Sequence, residues 1–317
     1  MKVKTWAIAC GLAVCLLTQT AVAGQFEDAT VAANRGDFAT ALQLFRPLAD
    51  QGYAPAQYDL GFMYENGYGV PQNYVEALKW YRLAADLGLA VAQFKLGDMY
   101  LSGLGLPKDY SKAAKWFRLA ADQGNIMAQY NIGLMYDIGE GLPKNVAEAV
   151  KWYRLASEQG YAGAQLNLGN IYYDGQSVSQ DYGEAAKWYR VAADQGLGKA
   201  QINLALMYLN GLGVPKNVVE AVKLFRLAAD QNLAQAQYNL GTLYEVGNGV
   251  QQNNVETLMW YNLAAASSPA NDIELHDQTL RDKAILARNE MASRCTPTEI
   301  AKAIGLAEEW RAAHLKP

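Results

Sequence analysis

The side chains that most often carry chemistry are few in this sequence and poorly placed for it. Histidine occurs twice, at His276 and His314, both near the C-terminus. No His-Glu-x-x-His or Cys-x-x-Cys pair offers ligands to a metal. No Gly-x-Ser-x-Gly elbow or Ser-x-x-Lys motif supplies a nucleophile. Acids stand singly, as they do on solvated faces. The chain therefore reads as non-catalytic, with no cofactor and no metal. What does recur is a polar column: Asp59, Lys95, Asn131, Asn167, Asn203 and Asn239. An asparagine amide carries both donors and an acceptor, the set needed to pair with the backbone of an extended peptide. The blander reading, in which these amides bond to a neighbouring helix end or loop, stays open. A second column, Phe62, Asp98, Leu134, Asn170, Leu206 and Thr242, is chemically mixed and suited to setting specificity.

Both columns belong to a ladder with a 36-residue step. Trp80, Trp116, Trp152, Trp188 and Trp260 keep that step, with Leu224 in the gap. Gly61, Gly97, Gly133, Gly169 and Gly241 keep it, with Ala205 replacing one glycine. Gln57, Gln93, Gln129, Gln165, Gln201 and Gln237 form another column.

Each unit reads as two helices. Helix A runs from about Pro55 to Asn66, with Ala56, Leu60 and Tyr64 at i, i+4, i+8 on one buried face. Gly67-Tyr68-Gly69-Val70-Pro71 stops it and turns the chain. No strand precedes these Gly-x-Gly turns and no Lys-Ser/Thr follows, so they are helix stops rather than phosphate loops. Helix B opens at Asn73 with Glu76 three residues on, which predicts a capping box. Lys112 replaces that Glu in one unit and leaves Asp109 to cap alone. The Lys79 and Arg82 columns follow at steps of three, as expected for a solvated face with i, i+3 pairs.

A mid-helix glycine costs about 1 kcal/mol relative to alanine. Its recurrence at the Gly61 column implies close contact, with the Trp80-type ring packing on bare backbone. The Trp and Gly columns are therefore expected to be structural core.

The segments Ala56-Gln57-Tyr58-Asp59-Leu60-Gly61, Gly67-Tyr68-Gly69-Val70-Pro71 and Glu76-Ala77-Leu78-Lys79-Trp80-Tyr81-Arg82-Leu83-Ala84-Ala85 resemble the Sel-one-like repeat (SLR) family, a branch of the tetratricopeptide superfamily. The resemblance runs from about Gly36 to Ala266. It implies an all-α fold, a right-handed α-solenoid of stacked antiparallel helix pairs with helix A on the concave wall. It also implies an adaptor or scaffold that binds a protein or peptide there. Asn residues hold peptide backbone in related tetratricopeptide grooves. The expected partner-binding residues are thus Asp59, Phe62, Lys95, Asp98, Asn131, Leu134, Asn167, Asn170, Asn203, Leu206 and Asn239. Cysteine-rich relatives are linked to penicillin hydrolysis, but their paired cysteines are absent here.

The N-terminus reads as an export signal. Lys2 and Lys4 precede an apolar stretch from Trp6 to Leu17, and Ala21-Val22-Ala23 predicts cleavage after Ala23. Two other readings stay open: retention as an uncleaved anchor, and lipidation at Cys15, where Val14 is the wrong neighbour for that processing. The expected organisation is a signal over 1–23 and a capping helix pair over 24–52. About six repeats then cover 53–266, and closing helices occupy 267–317. Contact with a membrane is expected only through the signal, and the product is expected in the periplasm or outside the cell. Cys295 stands alone after the signal, so packing rather than an internal disulfide must hold the fold. The formal charge of −4 lacks the basic concentration that nucleic acid calls for. The expected partner is an envelope or host protein. A cell-wall or glycan-binding module is the alternative, since 20 Tyr and 7 Trp are available to stack on sugars.

Overall fold

The computed structural model describes residues 22–175, 178–266 and 277–315. The predicted signal lies outside the described residues except for Val22 and Ala23. So do Ser177 and the 267–276 segment with His276. All regular structure among the described residues is helical. It forms two compact units, Met1–Ala156 and Ser157–Pro317.

The first unit contains α1 (22–34), α2 (Phe38–Asp50), α3 (Ala54–Asn66), α4 (Tyr74–Asp86), α5 (Ala90–Ser102), α6 (Tyr110–Asp122), α7 (Ile126–Ile138) and most of α8 (Val146–Glu158). The second contains α9 (Ala162–Asp174), α10 (Tyr182–Asp194), α11 (Gly198–Asn210), α12 (Val218–Ala229), α13 (Ala234–Val246), α14 (Asn254–Ala266), α15 (Asp277–Arg294) and α16 (Pro297–His314). In each unit successive helices pack against one another as stacked pairs, a solenoid arrangement. Helices α15 and α16 close the second unit against α14. There the edge of Trp310 meets Trp260 at 6.3 Å between ring centres.

The buried face of each A helix follows the i, i+4 rule. Ala56, Leu60, Ala92, Leu96, Ala128 and Ile132 are fully buried in the first unit. Ala164, Leu168, Ala200, Leu204, Ala236 and Leu240 match them in the second. The glycine column does lie against an aromatic ring, but against the residue after the tryptophan. A Cβ on Gly61 would stand 2.8 Å from the Tyr81 ring, and one on Gly97 would stand 2.7 Å from Phe117. The sequence reading assigned that contact to Trp80. Adjacent helical residues point about 100° apart, and the second ring of each pair faces the A helix. Tyr81, Phe117 and Tyr153 are fully buried. Burying such a ring contributes roughly 1.5–3 kcal/mol. Trp80, Trp152 and Trp260 are buried, while Trp116 and Trp188 are half-buried.

The arginine column is exposed at Arg46, Arg82, Arg154 and Arg226, as a solvated face requires, but it also makes contacts the sequence reading did not foresee. Lys79 does pair with Glu76, Lys151 with Glu148 and Lys223 with Glu220 at i, i+3. Arg82 pairs with Asp86 on its own helix, and several arginines also reach into the following repeat. Arg46 donates to the Tyr64 hydroxyl at 2.7 Å and Arg118 to the Tyr136 hydroxyl at 3.0 Å. Arg190 and Arg226 do the same to Tyr208 and Tyr244. The Arg118 guanidinium stands 4.9 Å from the ring centre of Trp152, and that of Arg82 stands 5.0 Å from Trp116. Such cation–π contacts contribute about 0.5–2 kcal/mol.

The capping boxes are half-built. Asn73 accepts from the Glu76 amide, and Asp181 from the Glu184 amide. The reciprocal Glu contact is missing because the cap's own N–H is taken. Asn73 N donates 2.8 Å to the Tyr64 carbonyl, and Asp181 N donates 2.9 Å to that of Tyr172. This ties each B helix to the A helix before it and frees the Glu to meet its Lys. Among the helices whose caps are described, the full reciprocal box occurs at Thr296 and Glu299.

The second glycine of each turn serves contact between repeats. Gly69 has φ 70°, and a Cβ there would meet the Phe38 carbonyl oxygen at 2.8 Å.

Candidate protein-binding face

The stripe singled out on the A helices is partly open to solvent. In the first unit Asp59, Lys95 and Asn131 are half-buried, as are Asp98 and Leu134, while Phe62 is exposed. In the second unit Asn167, Asn170, Asn203, Leu206 and Asn239 are all half-buried, and Thr242 is exposed. Their backbones are held by the Ala and Leu columns one turn away, so their side chains are positioned without being packed over.

The second aromatic of each B helix reaches this stripe from behind. In the first unit the Tyr81 hydroxyl donates to Glu65 Oε2 at 2.5 Å, and Lys95 Nζ stands 3.1 Å from Glu65 Oε1. Burial pushes the Tyr81 hydroxyl well above the usual tyrosine range, and the Glu65 carboxylate adds to that. Lys95 is thus engaged inside the chain rather than presented freely. Burial raises Asp98 above the usual carboxylate range, with Lys95 opposing the shift and Glu65 reinforcing it.

In the second unit the amides converge. Tyr189 donates 2.8 Å to Asn170 Oδ1, and Asn203 Nδ2 donates 3.2 Å to the same oxygen. With Tyr173, Asp174 and Leu206 they line a pocket of about 250 Å³. Asn239 Nδ2 is buried with no hydrogen-bond partner among the described residues. An unpaired buried donor is costly. Burial also raises Tyr189, so its hydroxyl stays a donor at neutral pH.

A second cavity, of about 400 Å³, opens in the first unit. Asp59, Phe62 and Met63 of α3 line it with residues of α1 and α2 and Tyr68 of the following turn. Burial pushes Asp59 up to about 6.

The sequence reading missed Glu65, Tyr173 and Asp174. A usable signal existed for the first. Where the second aromatic is Tyr81, Tyr153 or Tyr261, the facing position is Glu65, Asp137 or Glu245. Where it is Phe117 or Phe225, that position is Leu101 or Leu209. Hydroxyl and carboxylate appear together and vanish together in these five repeats; in the sixth, Tyr189 faces Tyr173 and donates to Asn170 instead. Among the described residues, no group of three or more His, Cys, Asp or Glu is placed to hold a metal ion.

Stacked helix pairs of constant length, each burying its aromatic and aliphatic side against the next, define a repeat scaffold of the α-solenoid class. The Sel1 repeat matches residues 54–89, 90–125, 126–161, 162–197, 198–233 and 234–268, and the chain belongs to the Sel1 repeat family. Two solved structures are similar over most of it. One is an SLR-fold protein described as a protective antigen present in uropathogenic Escherichia coli strains. It is 33% identical with a TM-score of 0.76, over 94% of this chain and 70% of that one. The other is a Sel1 repeat protein from Oxalobacter formigenes. It is 31% identical with a TM-score of 0.68, over 76% of this chain and 96% of that one. No curated protein matches the chain. Sel1 repeat proteins are generally protein-interaction scaffolds, and the repeat is typically non-catalytic.

Proposed function

We propose that this chain is a non-catalytic scaffold, exported to the cell envelope or beyond, that holds an extended segment of a partner protein along its A-helix stripe. The observation that carries this reading is the convergence of Asn170, Asn203 and Tyr189 on one pocket. Amides and a phenol at fixed spacing match the repeating donors and acceptors of a peptide backbone. Export is supported by the basic start, the apolar stretch and Ala21-Val22-Ala23. A relative described as a protective antigen is consistent with display outside the cytoplasm.

The glycan reading is weaker. Rings that stack on sugars must be accessible, whereas Trp80, Trp152 and Trp260 are buried.

The test is photo-crosslinking from probes at Asn131, Asn167 and Asn203 in the producing cell, with mass spectrometry of the adducts. Adducts to one defined protein are expected. Adducts arising only from Lys79 and Lys187 on the B helices would move the site off this face. Retention of the chain by bare cell wall, with no protein adduct, would favour the glycan reading. Fractionation with N-terminal sequencing tests export, with Gly24 the expected first residue.

A further inference from the structure

The N-terminal cavity carries a feature that its fold does not need. Asp59 sits half-buried among rings, and among the described residues no hydrogen bond or ion pair to its carboxylate is found. Loss of hydration is the cause that raises its pKa, and among the described residues no cation pulls it back down. The contrast with Glu65 is informative. That carboxylate, one turn and a half further along α3, has Tyr81 and Lys95. Asp59 has neither, and a carboxylate in an apolar pocket is costly unless paired.

The rings are arranged as a cationic ligand would require. Phe38 and Tyr68 stack with centres 4.5 Å apart and planes 6° from parallel. Phe62 approaches Tyr68 edge-on at 5.9 Å. Phe62 and Tyr68 are each 38% exposed, so their surfaces remain open to a ligand. Aromatic faces attract a cation through their quadrupole, and a guanidinium also stacks flat on them. The Asp59 carboxylate then offers two acceptor oxygens that match the guanidinium fork. An ammonium matches this pairing less well, being compact, strongly hydrated and without a flat face.

We propose that the Asp59, Phe38, Phe62 and Tyr68 cavity is an arginine-binding pocket that receives one guanidinium side chain of the partner protein. It rests on the scaffold reading and gives it a specificity element. An arginine of the bound segment anchors in the Asp59 cavity of the first unit. Other repeats do not reproduce the pocket, because the Asp59 column carries Lys95 and then Asn131. The anchor therefore sets the register of the bound segment.

The test is titration of the purified full chain with Nα-acetyl-arginine methylamide, read by ligand-observed NMR at pH 7.5. The uncharged citrulline counterpart and the lysine counterpart are titrated in parallel. The arginine probe is expected to bind at least about tenfold more tightly than the citrulline probe. It should also bind more tightly than the lysine probe. Asp59→Asn should remove the arginine preference, and Phe62→Ala should weaken arginine binding severalfold. Asp86→Asn, which alters an exposed carboxylate on α4, should leave binding unchanged. Helicity and melting of each variant are checked first.

Equal binding of arginine and citrulline, or an Asp59→Asn chain that still prefers arginine, overturns the pocket. Tighter binding of lysine overturns the choice of guanidinium. The two proposals fail separately. Loss of arginine binding with crosslinks intact ends the pocket alone. Arginine binding without a protein adduct ends the scaffold reading.

Discussion

Gln123 Nε2, just past the end of α6, donates a 2.8 Å hydrogen bond to Oε1 of Gln93 on α5 of the same repeat. Gln93 is buried and itself donates 3.2 Å to the Ala85 carbonyl at the end of α4. Gln195 with Gln165 and Gln231 with Gln201 repeat the pairing. Each buried amide thus closes the B-helix end of the preceding repeat and is itself held from the B-helix end of its own. At Gln57 the pattern breaks. The matching position is Leu87, and Gln57 Oε1 is buried without a partner.

Leu87→Gln should therefore stabilise the chain by about 1 kcal/mol, the worth of satisfying a buried acceptor. Leu87 is 60% exposed, so little apolar burial is lost. Urea denaturation reads this as a higher midpoint at constant slope. A midpoint that stays put or falls would contradict the pairing.

The tyrosine–acid rule makes a second prediction. Phe117 is fully buried with Leu101 packed against its cluster. Phe117→Tyr alone should cost about 1–3 kcal/mol, because the new hydroxyl meets no acceptor. Adding Leu101→Glu should recover much of that, since it recreates the Tyr81–Glu65 pair. The double-mutant cycle should show a favourable coupling of at least about 0.5 kcal/mol. Simple additivity would mean that the pairing seen in the other repeats is coincidental.

Two glycines separate backbone strain from contact. Gly88 has φ 90° with open space around its absent Cβ. Gly88→Ala should cost about 1–2 kcal/mol, for the left-handed conformation alone. Gly105 has φ 75°, and a Cβ there would stand 2.8 Å from the Tyr74 carbonyl oxygen. Gly105→Ala should cost clearly more, about 3 kcal/mol or beyond, because the turn must move off the preceding repeat. Equal melting temperatures for the two variants would rule out the contact role.

Asp59 makes stability depend on pH in an unusual direction. Its folded-state value is pushed up to about 6, above the unfolded value near 3.8. Between those values the folded chain holds a proton that the unfolded chain has released. The contribution of Asp59 is therefore destabilising above pH 6 and is relieved as pH falls toward 4. Asp59→Asn should be more stable than the parent at pH 7.5 by about 1 kcal/mol, allowing for solvent screening in an open cavity. The gap should narrow between pH 6 and pH 4 in paired melting curves. A constant gap would place the carboxylate in a well-hydrated setting.

Asp59 and Glu65 show how far one chain can be read. Both lie on α3, and nothing within a few residues of either distinguishes them. The neighbours that do so come from elsewhere: Tyr81 and Lys95 for Glu65, and Phe38 and Tyr68 for Asp59.

The helix pairs, their stops at Gly67 and Gly103, their caps at Asn73 and Asp109 and the 36-residue step were all legible in the sequence. These features depend on φ preferences, local hydrogen bonds and apolar period, which act over a few residues. Tertiary structure decided that Tyr81 rather than Trp80 lies on Gly61. It also decided that Arg118 crosses to Tyr136, that the Asn73 amide serves the Tyr64 carbonyl, and that Asp59 is left without a counter-charge. Each of these depends on how one helix crosses another. That crossing is set by the combined fit of many side chains and is encoded in no single segment.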